Sequence, residues 1–379
     1  MSLYHIIFIF LLLGAVVEHI RRKTPKGLFW AAFVLLTVFL CLRFGQGQDY
    51  FNYANIYYSL PPNPIQAVLS AGIHSEPGWK LLCGLFRAVN APFPVLILVI
   101  SAYMMALYLR GLQLYGGEKK LLALFISYHT LYLTYFFGVL RQGIVIATLL
   151  GLLLPLLKKR SYIKYCVTVC LLALIHSVSL LLLLLPLLQN LKLTFKHCVA
   201  LVALGFLVGT LLSLVNIGVI LHRIYPHTYF AKTDTALVAV AERILTFAVV
   251  TYCYYVYLQG REPQQNDFLL TVYKAYAIGI FLYGVLMWSA LISSRTVYIL
   301  KILEIVLICA CLESCKRSRH TIFLYLVLLS TVLYVKNIDS YLSLGEYTNA
   351  SVIDYPYVTI FNQRDILQYR STPHYYPFP

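Results

Sequence analysis

Residues 141–160 read RQGIVIATLLGLLLPLLKKR, an apolar run with one arginine at its start and a basic cluster at its end. As an α-helix, the run from Arg141 to Lys158 would rise about 26 Å at 1.5 Å per residue. That length is close to the hydrocarbon thickness of a bilayer, about 30 Å. We therefore predict a membrane-spanning helix here, with Arg141 near one hydrocarbon boundary.

The remainder of the chain has the same apolar character. The 379 residues are 60% hydrophobic and 12% charged, and the mean hydropathy is +0.78. This composition predicts a polytopic, all-α transmembrane helical bundle, because soluble domains of this length have more polar surface. A β-barrel would alternate polar and apolar residues, whereas residues 179–188 are apolar almost throughout. Residues 3–20 are predicted to be a retained span, since their apolar stretch precedes its basic cluster and a signal peptide has the opposite order.

Apolar runs of about 15–25 residues predict about 12 membrane segments, within a range of about 10–12. These segments are residues 3–20, 28–43, 94–112, 121–139, 143–157, 162–175, 177–189, 197–215, 240–258, 268–290, 295–312 and 321–335. The basic loops all fall on one side of the resulting alternation: 21–26, 119–120, 158–164, 192–196, 261 and 316–319. By the positive-inside rule that side is cytoplasmic, so both termini are predicted to lie outside.

Residues 162–188 allow either one long tilted helix or two short helices that meet near His176. The flanks at 158–160 and at Lys192 are both basic, and the positive-inside rule assigns both to the cytoplasm. A single crossing cannot place both flanks on one side, so we predict two short helices.

The predicted organisation is a transmembrane domain over residues 1–335 and an extracytoplasmic, tyrosine-rich tail over 336–379. Long outer loops are predicted at 44–93 and 216–239, and residues 76–89 of the first should form an amphipathic surface helix. The second loop carries several charged and imidazole side chains: His222, Arg223, His227, Lys232 and Asp234. No internal repeat is evident, and the inverted-repeat pattern of many transporters is missing.

The charge and cysteine patterns exclude two further classes of protein. The formal net charge is +16, but much of it lies at the ends of apolar runs and forms no patch with interleaved aromatics. We therefore expect no nucleic-acid partner. The nine cysteines have no zinc spacing, and no cluster of Asp, Glu, His or Cys has metal-ligand spacing, so neither a metal nor a cofactor is expected.

Six ionisable residues collect on the predicted outer side: Arg43, Asp49, Glu76, Arg141, His176 and Arg295. A bilayer tolerates such groups only where protein or water surrounds them. Their position on one face predicts a reaction site rather than membrane anchoring alone. Arg43 opens the sequence RFGQGQDYFNY, whose glycines favour a turn and whose Asp49, Tyr50 and Tyr53 supply hydrogen-bonding groups. An interfacial anchor is the alternative interpretation of this stretch.

Structural alternatives also exist for the next three residues. Glu76 would stand at the N-terminus of the surface helix, where the helix dipole favours a carboxylate, so it could act as a cap. Pro77 fits the first helical position. Arg141 could form a salt bridge to Asp49 or Glu76, and His176 could be hydrogen-bonded core.

Arg295, at the start of the eleventh predicted span, is a further candidate for anion binding. A guanidinium grips phosphate oxygens through its planar fork of donors. Within the spans, Lys301 and Glu304 lie three residues apart and are predicted to pair, as are Glu242 and Arg243.

Several short motifs occur together in a fixed order along the chain. An R-x-x-G-x-D-Y-x-x-Y-like stretch at 43–53, with one extra residue before the aspartate, is followed by Glu-Pro-Gly-Trp at 76–79. Arg-Gln at 141–142, His-Ser-x-Ser at 176–179 and a late Pro-Tyr at 356–357 complete the order. Together they resemble the EpsG family of bacterial exopolysaccharide and O-antigen polymerases, within the broader Wzy-type group.

The resemblance implies a GT-C-like, metal-independent glycosyltransferase of the bacterial inner (cytoplasmic) membrane, with its active site facing the periplasm or exterior. It would join oligosaccharide repeat units carried on undecaprenyl diphosphate, so that donor and acceptor are both lipid-linked. Membrane lipid and a chain-length regulator protein are further expected partners. The implied roles are diphosphate binding by Arg141, Arg295 and Arg43, catalysis by His176, Glu76 and Asp49, and substrate contact by Gln142, Tyr50 and Tyr53. Among the catalytic candidates, His176 is the first choice as base.

Two other classes of protein remain as alternatives. A flippase for lipid-linked oligosaccharides would explain the spans and charges, but predicts internal repeats and polar sites near mid-membrane. An O-antigen ligase shares the donor and the arginines, and the sequence separates it poorly from a polymerase.

Overall fold

The computed structural model describes residues 2–224, 235–259, 268–344, 347–370 and Pro377. Within these ranges the chain is helical, and the only extended pairing is two isolated bridges, Arg43 with Thr359 and Tyr347 with Arg370. The all-α prediction is confirmed for this part of the chain. Arg261, His227, Lys232 and Asp234 lie outside the described residues.

Contacts divide the chain into two units, Met1–Leu180 with His320–Pro379, and Leu181–Arg319. The helices of the first unit are α1 Leu3–Arg21, α2 Lys26–Cys41, α3 Tyr50–Ser59, α4 Pro64–Leu69, α5 Pro77–Ala88, α6 Phe93–Tyr115, α7 Lys120–Ser127, α8 Leu140–Thr148, α9 Leu154–Lys158 and α10 Tyr162–Ala173. π-helical turns extend α7 over Tyr128–Phe136 and join α8 to α9 over Leu149–Leu153.

A 3₁₀ segment, Ser177–Leu183, leads into the second unit. The helices of that unit are α11 Leu184–Asn190, α12 Phe195–Leu214, α13 Ile217–Ile224, α14 Leu237–Gln259, α15 Phe268–Leu286, α16 Ala290–Lys301 and α17 Leu303–Cys311. The last long helix, α18 Arg319–Leu344, belongs to the first unit almost entirely.

Seven helical stretches among the described residues are long and apolar enough to cross a membrane. They are Leu3–Arg21, Phe93–Tyr115, Leu140–Lys158, Phe195–Leu214, Leu237–Gln259, Phe268–Leu286 and Arg319–Ser343. Three shorter apolar helices accompany them: Lys26–Cys41, Tyr162–Ala173 and Ser177–Asn190. The protein is therefore a polytopic helical membrane protein, while the total of about 12 spans and the outward termini stay predictions.

The chain turns back on itself after α10. Ser179 Oγ donates a hydrogen bond to the carbonyl of Val169 at 3.4 Å. In one straight helix these residues would lie about 15 Å apart, at 1.5 Å per residue. The helix break is at 174–176, so the prediction of two short helices meeting near His176 is confirmed.

The C-terminal segment packs against the turn that follows α2. Phe44 N donates to Val358 O at 2.8 Å, and Arg370 Nη1 donates to Gly45 O at 2.9 Å. Helix α18 reaches Leu344, which is beyond the predicted end of the span at residue 335, and the domain boundary there stays a prediction.

Charged side chains in the second unit pair as the sequence predicts. Lys301 Nζ donates to Glu304 at 3.0 Å and lies 3.6 Å from Glu242, which also pairs with Arg243. Lys301 thus bridges two carboxylates from α14 and α17. Each buried charge in this group therefore has a partner of opposite sign, as an apolar environment requires.

Candidate functional site

Three elements of the first unit bring together side chains that are far apart in the sequence. Glu76 immediately precedes α5, Arg141 is the second residue of α8, and His176 lies in the break after α10. The Arg141 and His176 side chains both contact the Glu76 carboxylate. Three of the six residues selected from the sequence therefore form one cluster.

Gly78 fixes the position of Glu76 relative to His176. Its backbone N–H donates to the carbonyl of Leu174 at 2.7 Å, a group that has no helical partner because α10 has ended. A Cβ atom on Gly78 would lie 2.7 Å from the same oxygen, so any side chain would push α5 away. Pro77 occupies the first helical position, as predicted.

The Glu76 carboxylate bonds to other elements rather than to its own helix. It makes no side-chain cap of α5, so the capping interpretation was wrong. One oxygen accepts a hydrogen bond from Arg141 Nη1. The other accepts from His176 Nδ1 at 3.3 Å and from the backbone N–H of Ser177 at 3.4 Å. The alternative of a salt bridge between Arg141 and Glu76 is therefore present in the structure.

These contacts fix the charge on Glu76 and the proton position on His176. Burial raises the pKa of Glu76, but the hydrogen bond with His176 and the charge of Arg141 outweigh it and lower that pKa to about 2. An ionised carboxylate can only accept hydrogen bonds, so Nδ1 of His176 must carry the hydrogen. In the neutral imidazole, Nε2 then has the free lone pair.

Two polar atoms of the cluster remain without a hydrogen-bond partner. Within the cluster of Glu76, Arg141 and His176, the buried atoms without a partner are Nε2 of His176 and Nε of Arg141. Buried polar atoms are normally satisfied, so an unpartnered pair beside an ion pair indicates a place for a ligand. The two atoms offer one proton acceptor and one cationic N–H donor.

Aromatic side chains support the arginine. The Arg141 guanidinium lies 5.7 Å from the ring centroid of Tyr53, and the Tyr53 ring packs against buried Trp79 at 5.2 Å. Burial raises the pKa of Tyr53 to about 12, so its phenol stays neutral. Ser75 Oγ lies 3.4 Å from Arg141 Nη1. The sequence interpretation missed Ser75, which directly precedes the Glu-Pro-Gly-Trp motif, and assigned no role to Trp79 within that motif.

Asp49 lies outside the hydrogen bonds that join Glu76 to its partners. Its carboxylate accepts from Asn52 Nδ2 at 3.4 Å and interacts electrostatically with Arg141 and Tyr53. The side chain is half-buried. Asp49 therefore contributes negative charge near the arginine, and its catalytic role stays a prediction.

Arg43 is fully buried and bonds to the protein itself. Its Nη1 donates to Leu40 O at 2.6 Å and to Ser101 Oγ at 2.9 Å, and its Nη2 donates to Phe136 O at 2.9 Å. The guanidinium also lies over the ring of Phe137. These contacts give Arg43 a clear structural role, and its predicted diphosphate contact has no support in them.

The remaining predicted residues occupy three different environments. Tyr50 is fully buried and packs edge-on against Phe44 and Phe93. Gln142 is buried within α8, and Arg295 is exposed on α16 of the second unit. Their predicted contacts with substrate or diphosphate stay predictions. Among the described residues, no three His, Cys, Asp or Glu side chains are placed to hold a metal ion.

Comparison with known proteins identifies one family. The model of the EpsG family matches residues 26–355, a range that contains Glu76, Arg141 and His176. No curated protein and no solved structure matches the chain. EpsG proteins are Wzy-type polymerase-like proteins, which indicates a polymerase-like role in exopolysaccharide or O-antigen biosynthesis. Since the match covers most of its length, the chain belongs to the EpsG family.

Proposed function

We propose that this protein is a polysaccharide polymerase at the outer face of the bacterial cytoplasmic membrane. It joins oligosaccharide repeat units that are carried on undecaprenyl diphosphate. The proposal rests on the EpsG match and on the unpartnered Nε2 of His176 beside the Arg141–Glu76 ion pair. The position of Arg141 also supports the proposal, because this residue lies at the start of a helix that is long enough to span the membrane.

In the proposed reaction, a hydroxyl of the acceptor glycan attacks the anomeric carbon of the donor sugar. The new C–O bond forms as the bond from that carbon to the diphosphate oxygen breaks. The hydroxyl proton passes to Nε2 of His176, and the diphosphate leaves with the bonding electron pair. An imidazole with a free lone pair can act as the general base for this proton transfer.

Glu76 and Arg141 have distinct roles in this step. The Glu76 carboxylate holds Nδ1–H of His176, which directs the Nε2 lone pair away from Glu76 and stabilises the imidazolium that forms. The guanidinium of Arg141 faces the charge that develops on the leaving diphosphate, which is the largest stabilisation available to this chemistry. An arginine can neutralise this charge, so we propose a metal-independent, GT-C-type transfer.

A deletion strain complemented with variants tests the proposal. Loss of the gene should leave single repeat units on the lipid carrier, and wild-type protein should restore the glycan ladder. His176→Ala should fail to restore it, whereas His74→Ala, which changes an exposed histidine of the same outer loop, should restore it. Long chains that remain on the lipid carrier in the deletion strain would instead identify a ligase, and a normal ladder with His176→Ala would exclude the histidine as base.

A further inference from the structure

The exposed face of α5 consists entirely of apolar residues. Pro77, Leu81, Leu85 and Ala88 are the exposed residues of this helix, and their spacing places them along one face. A helix that faces water normally exposes its polar residues and buries its apolar ones. The arrangement in α5 is the reverse, so contact between this face and an apolar partner would be favourable.

The basic side chains of α5 are turned towards the protein. Lys80 Nζ donates to Ser70 O at 2.6 Å. Arg87 Nη1 donates to Tyr57 O at 3.1 Å and to Tyr58 O at 2.5 Å. Both cations are therefore committed to backbone carbonyls, and the outer face of α5 keeps no charge.

Helix α4 packs against α5 and adds further exposed apolar residues. A Cβ atom on Gly84 would lie 2.9 Å from atoms of Ala67 and of Pro64, so the glycine allows α4 and α5 to pack closely. The exposed residues of α4 are Ile65, Gln66 and Leu69, and the two apolar ones are one helical turn apart. Each of these two packed helices thus exposes a pair of large apolar side chains, and we call Ile65, Leu69, Leu81 and Leu85 together the apolar platform.

The platform lies next to a candidate membrane-spanning helix at one end and the candidate site at the other. Beyond α5, exposed Val89 leads into α6, a candidate span whose Val95 and Leu98 are exposed. At the opposite end, Pro77 directly follows Glu76 of the cluster. The distance along α5 is about 18 Å for its 12 residues. An apolar chain lying on the platform would therefore extend from the bilayer surface to the cluster.

We propose that the platform is the docking surface for the isoprenoid chain of the lipid-linked donor. The inference rests on the proposed function, because the diphosphate at the head of that chain would be held at Arg141. An isoprenoid chain is long, flexible and uncharged. The exposed face of α5 suits such a chain because Lys80 and Arg87 bond to backbone carbonyls of the protein and leave no charge on this face. The platform then aligns the donor so that its anomeric carbon arrives beside His176.

Photo-cross-linking of the full-length protein tests this path. The photoreactive residue p-benzoylphenylalanine replaces Leu85, or Leu13 as the matched control. Both leucines are similarly exposed, at 50% and 58%, and Leu13 lies on the candidate span α1. Each variant is placed in phosphatidylglycerol vesicles with radiolabelled undecaprenyl diphosphate. We expect preferential labelling at position 85 that excess unlabelled undecaprenyl diphosphate removes, and weak labelling at 13 that it does not change. Equal labelling at both positions, or labelling at 85 that resists competition, would overturn the docking surface in favour of general bilayer contact.

Kinetics provide an independent readout. Leu85→Asn should raise the apparent KM for the lipid donor by roughly tenfold with little change in kcat, since one buried leucine contributes on this order to binding. Leu13→Asn should leave both parameters unchanged. Cross-linking at 85 together with normal polymerisation by Arg141→Lys would refute the diphosphate assignment but keep the docking surface. An inactive Arg141→Lys variant without competed cross-linking would refute the docking surface alone.

Discussion

The contacts of Glu76 predict a specific pH dependence of stability. Its pKa is lowered from an ordinary value of 4.5 to about 2. Each pKa unit corresponds to 1.36 kcal/mol, so the folded protein favours the ionised carboxylate by roughly 3 kcal/mol relative to the unfolded chain. Since only 22% of the side chain is exposed, solvent screening removes only part of this contribution.

The direction of the effect follows from the lowered pKa. Because the folded pKa lies below the unfolded one, the stabilisation is fully present above the ordinary value of 4.5 and is lost as the pH falls towards 2. Glu76→Gln removes the titrating group and leaves the Arg141 guanidinium without its anion. We expect this variant to melt several degrees below the wild type at neutral pH, and the two melting temperatures to converge in acid.

Thermal unfolding in detergent, followed from about pH 7 to about pH 2, measures this difference. Other carboxylates also titrate in this range, so the informative quantity is the wild-type melting temperature minus that of Glu76→Gln at each pH. Asp354→Asn, which changes an exposed carboxylate, should follow the wild type throughout. A Glu76→Gln variant that melts like the wild type at neutral pH, or a difference that does not shrink in acid, would refute the reasoning.

Four further predictions concern chemistry and topology. Arg141→Lys should abolish polymerisation while the protein still accumulates and melts near the wild-type temperature, because lysine keeps the charge but loses the planar fork; wild-type glycan length in this variant would remove Arg141 from the diphosphate site. Polymerisation in vesicles should survive EDTA, and a loss that magnesium or manganese restores would show that a metal is required. Arg370→Ala should lower the melting temperature because the Gly45 and Gly47 carbonyls lose their hydrogen-bond donor, with Arg317→Ala, which changes an exposed arginine, as the control; equal melting of both variants would contradict this. A cysteine introduced at Lys159, in a background whose native cysteines are replaced, should resist impermeant reagents added from outside, and labelling there would reverse the predicted topology.

Much of the architecture was predictable from the sequence because the bilayer acts as a uniform apolar solvent. Whether a segment such as Leu140–Lys158 can span it depends on local composition and length, which the sequence displays directly. The helix break near His176 was predictable for a similar reason. The two basic flanks constrain the path of the chain without reference to any other element.

The roles of individual polar side chains were less predictable. The sequence selected Glu76, Arg141 and His176, but left each with a structural alternative. Helix capping by Glu76 was the wrong alternative. Gly78 packs the start of α5 against the end of α10, so the Glu76 carboxylate contacts Arg141 and His176 instead of its own helix. Arg43 has the same residue type as Arg141, yet its two terminal nitrogens donate to carbonyls and a hydroxyl of the fold, whereas a terminal nitrogen of Arg141 donates to Glu76.

The amphipathic helix predicted at 76–89 was likewise predictable from the sequence in part only. Its periodicity predicts a helix with two unlike faces, and α5 is that helix. Periodicity alone does not determine which face is buried, and in α5 the lysine and the arginine bond inwards while the leucines are exposed.

The sequence by itself determined that the chain is helical, membrane-spanning and carries charged residues near one predicted face. Only the tertiary structure decided that Glu76 contacts residues 65 and 100 positions away, and that two of the cluster's polar atoms are left without partners. The physical reason is that the two kinds of interaction depend on different parts of the chain. The hydropathy of a segment determines whether that segment enters the bilayer, independently of the other segments. A hydrogen bond between two helices forms only when the fold brings donor and acceptor within about 3 Å.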